Sequence, residues 1–553
     1  MTENKNHWLQ DHAGRAAVCI TLLGFLARLW TASGTFLNPD EALHFRLANQ
    51  LSLALAYQQS LTAAHPPLLI LLLYFWRALG TSELWLRLPS VLAGTAFCWM
   101  FYKWLTKAGG NLAGFIGLLF VAFLPPIILL SAELRQYALL LAFLASALYF
   151  LDEAFAKSSP ARMAAFTLCL YLAMLFHYSA FLFAAALGIY ALIRFFTKHL
   201  SVRLAAAWAI GQLGGLALAL FLYKTHLSKL GVGDSRTALH GWMSDFYLHR
   251  SYFDSAHDNP LLFLVGHSFG VFQFFFGQLA VGDVIGLVFV VGAVLLLRGK
   301  GFPADPSDDQ SDARGGNRAS LRQLGILLLL PFAVAGSVSL AHVYPYGGTR
   351  HVAFLIIPGV AGVSLALARF AAGRWNRGLA TAALVLVACI AFGKTRPPRM
   401  DRADQSRAHM ADAIDFIQQN VDPSNLIFVE YQTDLILGHY LCQQRPITFE
   451  AAPAGFEQFS CAGHRIVSAD YKMAWMFWAD NFPGDWLRFV EAYNLKPGGT
   501  VWIVQSGWGI KLPEDLRKHY AEFHGLQFQS FGDNIKIFKL TVGQPMPAAP
   551  PVE

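Results

Sequence analysis

The apolar run AAVCITLLGFLARLWTAS, residues 16–33, is followed closely by the polar sequence Asn38-Pro39-Asp40-Glu41. The run has the length of a membrane-spanning helix. Pro39 suits the first turn of a new helix, and the two carboxylates would then lie at its electropositive end. That position favours the ionised form that a general base or a metal ligand requires. A simpler interpretation is that Asp40 only caps a helix at the membrane surface.

The composition of the whole chain also indicates a membrane protein. Of 553 residues, 55% are hydrophobic and 14% are charged, whereas a soluble domain carries about 25% charged residues. An α-helical polytopic membrane protein is therefore predicted. The net charge of +7 is explained by Lys and Arg in cytoplasmic loops, so no nucleic-acid partner is predicted.

The order of apolar runs predicts about eleven transmembrane helices. They lie at 16–33, 88–105, 112–130, 137–155, 163–178, 180–196, 204–223, 284–297, 321–341, 352–368 and 379–392. The shorter run 68–79 is typical of an interfacial segment, and 261–279 is predicted to lie along the surface or to re-enter. With the N-terminus inside, this topology places most Lys and Arg in cytoplasmic loops. Counting 68–79 as a crossing would reverse that distribution.

The region after residue 393 is more polar and alternates between helical and strand patterns, which predicts a small α/β domain at 394–543. Helices are expected at 404–420, 433–441, 486–493 and 514–523, and strands at 426–429, 465–467, 501–504, 526–528 and 534–540. An odd number of crossings places this domain outside the cytoplasm. Cys442 and Cys461 could then form a disulfide in an oxidising compartment, but the sequence leaves their pairing open. Disorder is predicted for the polar loop 299–320 and for the Pro/Ala-rich tail 544–553.

Polar residues that are scattered along the chain fall at the extracytoplasmic membrane face in this topology. They are Asp40, Glu41, His65, Glu133, Arg135, Tyr137, His177, Arg350 and His351. An arginine at this depth either reaches towards lipid headgroups, pairs with a carboxylate or binds a phosphate. A single histidine there is often just a hydrogen-bonded residue at a helix end. Asp40, Glu41 and His65 are possible ligands of a divalent metal, although their spacing matches no metal motif.

The order of four motifs resembles the GT-C superfamily of membrane glycosyltransferases, in particular the bacterial relatives of protein O-mannosyltransferases and the lipid A aminoarabinose transferase. The motifs are Pro39-Asp40-Glu41, His65-Pro66-Pro67-Leu68, Arg87-Leu88-Pro89-Ser90 and Glu133-x-Arg135-x-Tyr137. The similarity covers the first two hundred residues well and the region of Arg350 more loosely. It implies a transmembrane GT-C catalytic domain at 1–393 in a bacterial inner (plasma) membrane.

The resemblance also implies a reaction. It is that of an inverting transferase that uses a polyprenyl-phosphate-linked sugar and glycosylates a protein, lipid or glycan outside the cytoplasm, among membrane lipids. Asp40 would be the catalytic carboxylate, with Glu41 as its neighbour, and Arg350 and Arg135 would contact the donor phosphate. The family often has Arg-Tyr where this chain has Arg350-His351.

Two other functions are open at this point: a transporter or flippase of lipid-linked sugars, and a non-catalytic envelope assembly protein. A transporter predicts ionisable residues near the bilayer midplane and broken helices. The apolar runs are nearly free of charge, and Arg28 lies near the outer end of the first run. The transferase is therefore the preferred interpretation.

Overall fold

The computed structural model describes residues 12–197, 201–229, 248–299, 313–372, 374–392, 405–443, 445–470, 473–478, 481–508, 512 and 527–542. The predicted helix at 514–523 and the predicted tail at 544–553 lie outside these residues. Of the loop predicted to be disordered, residues 300–312 also lie outside them. The prediction is wrong from Ala313 onward, where a long helix begins.

Helices make up most of the chain before the sheet. In order they are α1 (Ala13–Ser33), α2 (Pro39–Ala48), α3 (Leu53–Ser60), α4 (Leu68–Trp76), α5 (Glu83–Phe123), α6 (Pro125–Ser131), α7 (Tyr137–Lys157), α8 (Pro160–Phe176), α9 (Ala180–Thr197), α10 (Val202–Leu222), α11 (Pro260–Phe276), α12 (Leu279–Leu297), α13 (Ala313–Leu340), α14 (Ile356–Phe370) and α15 (Trp375–Ala391). Short 3₁₀ turns lie at Arg77–Leu79, His249–Ser251 and Arg350–Leu355, and a π turn lies at Tyr223–Leu227.

Among the described residues, eight helices are long and apolar enough to cross a membrane by length and composition. They are α1, α5, α7, α9, α10 with the π turn that follows it, α12, α13 from Ser320 onward, and α14 with the 3₁₀ turn that precedes it. Shorter apolar helices are α4 with its 3₁₀ turn, α8, α11 and α15. The predicted class of an α-helical polytopic membrane protein is confirmed. Helices α8 and α15 coincide with predicted crossings, whereas α4 and α11 coincide with the two segments that were not counted as crossings.

Helix α5 is two helices that meet at Gly110, where the backbone has φ 84° and ψ 170°. Residues with a Cβ rarely adopt this φ, so glycine allows the chain to break there. The two halves correspond to the predicted runs 88–105 and 112–130. The second half stops at Phe123, because Pro125 begins the next helix and cannot donate the backbone hydrogen bond that would continue α5.

The chain divides into two compact units. The first contains 1–33, 60–69 and 84–400, and the second contains 34–59, 70–83 and 401–553. The region predicted as a separate domain at 394–543 therefore clusters with two segments from near the N-terminus, one of which carries α2.

The core of the first unit surrounds α14. The apolar segment that contains this helix, Arg350–Phe370, is buried along its full length. Helix α14 packs against α12, α13 and α15. Arg28 of α1 is also buried, and its guanidinium donates to the carbonyl oxygens of Gly24, Val121 and Ala122 at 2.6–3.1 Å. The carbonyls of Val121 and Ala122 lie near the end of α5, so Arg28 satisfies backbone acceptors that this helix leaves open.

The second unit contains a six-stranded sheet with the strand order β2-β3-β1-β4-β6-β5. The strands are β1 (Leu426–Val429), β2 (Phe456–Cys461), β3 (His464–Ala469), β4 (Thr500–Ser506), β5 (Gln527–Ser530) and β6 (Ile535–Thr541), and the helices are α16 (Arg407–Asn420), α17 (Tyr431–Tyr440) and α18 (Phe482–Ala492). Strand β1 pairs in parallel with β3 and β4, and the outer pairs are antiparallel. The predicted α/β domain is confirmed, with β2 as an additional strand. Cys442 and Cys461 form a disulfide.

Candidate active site

His177 is at the centre of a polar cluster in the first unit. It follows the last residue of α8 in an extended conformation, and α9 begins three residues later. Its Nδ1 accepts the backbone N–H of Ser179 at 3.1 Å and lies 2.7 Å from the Ser179 hydroxyl. A nitrogen that accepts a hydrogen bond carries no proton, so in the neutral ring the proton is on Nε2.

Two of the predicted site residues lie against this imidazole. The ring of His65 is 5.0 Å from that of His177, and the ring of Tyr137 is 5.3 Å from the His177 ring. The guanidinium of Arg135 lies 5.6 Å from the centre of the Tyr137 ring. The structure therefore brings together residues from two of the sequence motifs and His177, which lies outside the motifs.

Electrostatics places Arg350 in the same cluster. Burial, together with the positive charges of Arg135 and Arg350, lowers the pKa of His177 to about 3. His177 is 1% exposed, and the ring is neutral at physiological pH. We call His65, Arg135, Tyr137, His177 and Arg350 the polar cluster.

The Nε2 atom of His177 and the hydroxyl of Tyr137 are buried, and neither has a hydrogen-bond partner among the described residues. Most buried polar groups in proteins are paired, because leaving one unpaired costs about 1–3 kcal/mol. An unpaired N–H and an unpaired hydroxyl beside two guanidinium groups form an arrangement that suits an anionic ligand.

The loop that leads to Arg350 is held against α11. The backbone N–H of Tyr346 donates to the carbonyl oxygen of Ser251 at 2.8 Å. The hydroxyl of Tyr346 lies 2.7 Å from the hydroxyl of Ser268 in α11. A Cβ on Gly348 would lie 2.6 Å from the carbonyl oxygen of Gly270. Only glycine permits this close approach, which fixes the start of the 3₁₀ turn at Arg350.

His351 makes a hydrogen bond near Arg350 through its backbone. Its carbonyl oxygen accepts the hydroxyl hydrogen of Tyr344 at 3.1 Å, and its side chain is buried. Burial raises the pKa of Tyr344 well above its usual value. Tyr344 and Ser179 were not predicted as site residues, and a helix-end serine beside a histidine was the only sequence signal for Ser179.

Glu133 and Arg135 lie in the bend between α6 and α7. The carbonyl oxygen of Glu133 accepts the backbone N–H of Arg135 at 2.8 Å. The hydroxyl of Ser90 donates to the carbonyl oxygen of Arg135 at 3.0 Å. Ser90 belongs to the motif Arg87-Leu88-Pro89-Ser90, so this bond ties two of the motifs together.

The acidic motif begins α2 in the second unit. Pro39 is in the first turn, and Asp40 and Glu41 follow it, as predicted. The Asn38 side chain accepts the backbone N–H of Glu41 at 3.1 Å, and the Glu41 carboxylate accepts that of Asn38 at 3.0 Å. This reciprocal pair is a capping box, and Glu41 is fully buried in it. Asp40 is partly exposed, so its carboxylate is the more accessible of the two.

No group of three or more His, Cys, Asp or Glu side chains within the described ranges is arranged to hold a metal ion. The ligand set Asp40, Glu41 and His65 remains a hypothesis from the sequence.

The segment that contains most of the polar cluster matches a known protein family. Residues 64–227 match the family described as dolichyl-phosphate-mannose-protein mannosyltransferase. This segment is therefore similar to that family. The matched segment includes His65, Arg135, Tyr137 and His177, whereas Arg350 and the acidic motif lie outside it.

Solved structures align with nearly the whole chain at low identity. ArnT from Cupriavidus metallidurans in the apo state has 15% identity and a TM-score of 0.42, covering 96% of this chain and 98% of that chain. ArnT bound to undecaprenyl phosphate has 15% identity and a TM-score of 0.38, covering 94% and 97%. The apo oligosaccharyltransferase of Archaeoglobus fulgidus has 10% identity and a TM-score of 0.46, covering 90% and 70%. None of the curated protein sequences matches this chain.

Proposed function

We propose that this protein is an inverting glycosyltransferase that moves a sugar from a polyprenyl-phosphate donor to an acceptor hydroxyl at the extracytoplasmic face of a bacterial inner membrane. The observation that carries the proposal is the polar cluster. It combines two arginines with a buried, unpaired N–H of a neutral histidine. All of its members except Arg350 lie in a segment that matches a family named for a lipid-phosphate sugar donor.

In this proposal the polar cluster binds the donor phosphate. The guanidinium groups of Arg135 and Arg350 form charge-assisted hydrogen bonds with the phosphate oxygens. His177 donates its Nε2 hydrogen and Tyr137 its hydroxyl hydrogen, which satisfies both buried groups. The positive charges stabilise the lipid phosphate as it leaves, when negative charge grows on its oxygen.

Asp40 is the proposed general base. Its position in the first turn of α2 stabilises the ionised carboxylate, because the helix dipole is positive there. The carboxylate takes the proton of the acceptor hydroxyl, whose oxygen then bonds to the anomeric carbon of the sugar. The bond between that carbon and the phosphate oxygen breaks, and its electron pair leaves with the lipid phosphate. Attack from the face opposite the phosphate inverts the anomeric carbon.

The extracytoplasmic location is supported by two independent features. Lys and Arg are concentrated in the loops that the predicted topology places in the cytoplasm. The disulfide between Cys442 and Cys461 is of a kind that persists in oxidising compartments such as the bacterial periplasm. Both features favour an α/β domain that lies outside the cytoplasm.

A transfer assay tests the proposal. The purified full-length protein in nanodiscs is incubated with radiolabelled undecaprenyl-phosphate mannose or dolichyl-phosphate mannose and with envelope extract from a strain that lacks the protein. We expect release of the lipid phosphate together with a labelled protein, lipid or glycan. Movement of intact donor across the bilayer without release would support a flippase instead, and binding without either would support an assembly role.

Two single substitutions assign the base. Asp40→Asn should abolish transfer while the protein still binds undecaprenyl phosphate. Glu41→Gln keeps a side chain that can complete the capping box and should retain transfer. Full activity in Asp40→Asn would refute Asp40 as the base, and loss in Glu41→Gln alone would assign the role to Glu41.

A further inference from the structure

Helix α2 needs support from outside itself. It has ten residues, and isolated helices of this length are marginal in water because nucleation is costly. Its capping box fixes only its first turn. The orientation of a base carried on α2 therefore depends on what the helix packs against within the second unit.

The last turn of α2 is fixed to α17 by an ion pair. Nη1 and Nη2 of Arg46 donate to the two carboxylate oxygens of Asp434 at 2.7 and 2.6 Å, and Nη2 also donates to the Asp434 carbonyl oxygen at 2.8 Å. The Asp434 side chain is fully buried, and that of Arg46 is 13% exposed. A bidentate ion pair of this kind fixes the relative orientation of the two side chains as well as their distance.

Each charge of the ion pair lies at a helix end where the helix dipole stabilises it. Arg46 is in the last turn of α2, and Asp434 is in the first turn of α17. A cation at a helix C-terminus and an anion at a helix N-terminus are each stabilised by the helix dipole. Gly438 makes room for the pair, because a Cβ there would lie 2.7 Å from Nη2 of Arg46.

Contacts along the rest of α2 come from the same α/β domain. The ring of Phe45 meets that of His439 edge-on at 4.8 Å. Just before the helix, the backbone N–H of Leu37 donates to the hydroxyl of Tyr440 at 2.8 Å. At its start, Pro39 lies against Gly507, where a Cβ would be 2.9 Å from the proline ring. The helix is therefore held at both ends by α17 and the loop after β4.

We propose that Arg46 and Asp434 are positioning residues, through which the α/β domain fixes the direction of the helix that carries Asp40. Six positions separate Asp40 from Arg46, which is about 9 Å of helix. A rotation of the helix about its fixed end therefore displaces the carboxylate. The catalytic consequence of this inference rests on the proposed function, whereas the structural consequence does not.

The test compares Asp434→Asn and Arg46→Lys with the wild type in the full-length protein. Amide hydrogen exchange in 42–48 should be at least tenfold faster in both variants, and exchange in β1 and β4 should be unchanged. With undecaprenyl-phosphate mannose as the donor, kcat should fall about ten- to hundredfold, the scale of a base displaced by about 1 Å. The KM for this donor should change less than twofold, because its phosphate contacts are made by other residues.

A matched control separates positioning from general stability. Phe489 stacks on Phe428 in the core of the α/β domain, with ring centres 4.1 Å apart. Phe489→Leu should lower the melting midpoint while leaving kcat and the exchange of α2 at wild-type values. An equal loss of kcat in Phe489→Leu and Asp434→Asn, at equal loss of melting midpoint, would overturn the proposal. So would exchange and kcat within twofold of the wild type in both test variants.

A second variant covers the case in which Asp434→Asn does not fold, since it leaves a buried guanidinium without its counter-ion. Arg46→Met with Asp434→Leu replaces the pair by apolar side chains, which proteins often accept without loss of stability. The same loss of kcat and the same faster exchange are expected. If the wild type transfers no sugar, the proposed function fails, but the exchange result still decides whether the pair fixes α2.

Discussion

Replacing Glu430 by glutamine should stabilise the α/β domain at pH 8 and have little effect below about pH 4.5. Glu430 lies just before α17 and is fully buried. Burial raises its pKa to about 8, although hydrogen bonds from Thr433 and Gln432 act in the opposite direction. The folded protein therefore keeps this carboxyl protonated at neutral pH, and glutamine has the same shape as the protonated acid.

The size of the effect follows from the pKa shift. The unfolded chain releases the proton near the ordinary value of 4.5, whereas the folded protein holds it up to about 8. Stability is therefore lost as the pH rises through this interval, by at most about 5 kcal/mol in total. Between pH 6.5 and pH 8 the loss is about 2 kcal/mol, which corresponds to a fall of about 4–8 °C in melting midpoint for a domain of this size.

The assay is thermal unfolding of the full-length protein in detergent, followed by tryptophan fluorescence at pH 6.5 and pH 8. The wild-type midpoint should fall over this interval, and the midpoint of Glu430→Gln should stay level. Asp485, whose pKa is raised to about 6 by burial, titrates below this interval, so Asp485→Asn serves as the control and should keep the wild-type slope. Equal slopes in the wild type and Glu430→Gln would refute the reasoning.

Three further outcomes are expected. His177→Phe should lower kcat/KM for undecaprenyl-phosphate mannose at least tenfold, and His177→Gln should lower it less because an amide keeps an N–H donor; equal losses would contradict donation by Nε2. Arg350→Ala should weaken binding of undecaprenyl phosphate about tenfold to a hundredfold, with Arg350→Lys between it and the wild type; unchanged affinity would remove Arg350 from the phosphate site. Replacing Cys442 and Cys461 by serine opens a loop with a sequence separation of 19 and should cost about 3 kcal/mol of stability, seen as a lower melting midpoint that a reducing agent reproduces in the wild type.

The sequence predicted most elements that are marked by unbroken apolar runs. Strand β1 has the predicted bounds because four consecutive apolar residues lie between polar turns. Strand β2 was missed because it is an edge strand whose sequence mixes polar and apolar residues without clear alternation. It is created by a hairpin with β3, in which Ala462 and Gly463 both have positive φ values of 51° and 86°. Such a two-residue turn is usually marked by Asn-Gly or Asp-Gly, a signal that is absent here.

The contacts within the candidate site could not be predicted from sequence patterns alone. Membrane topology could place His65 and His177 in one layer, but only tertiary packing decides that their rings lie 5.0 Å apart. The capping role of Glu41 was missed, although Asn38-x-x-Glu41 has the spacing of a capping box. Nothing in the local sequence of Arg46 indicates a partner in a domain that lies hundreds of residues further on.

The ion pair between Arg46 and Asp434 joins two positions that are 388 residues apart. During synthesis, the arginine leaves the ribosome 388 residues before its counter-ion. A nascent or truncated chain that stops before α17 carries the acidic motif without the partner that orients it. Helix α2 therefore acquires its final direction only after α17 has been translated.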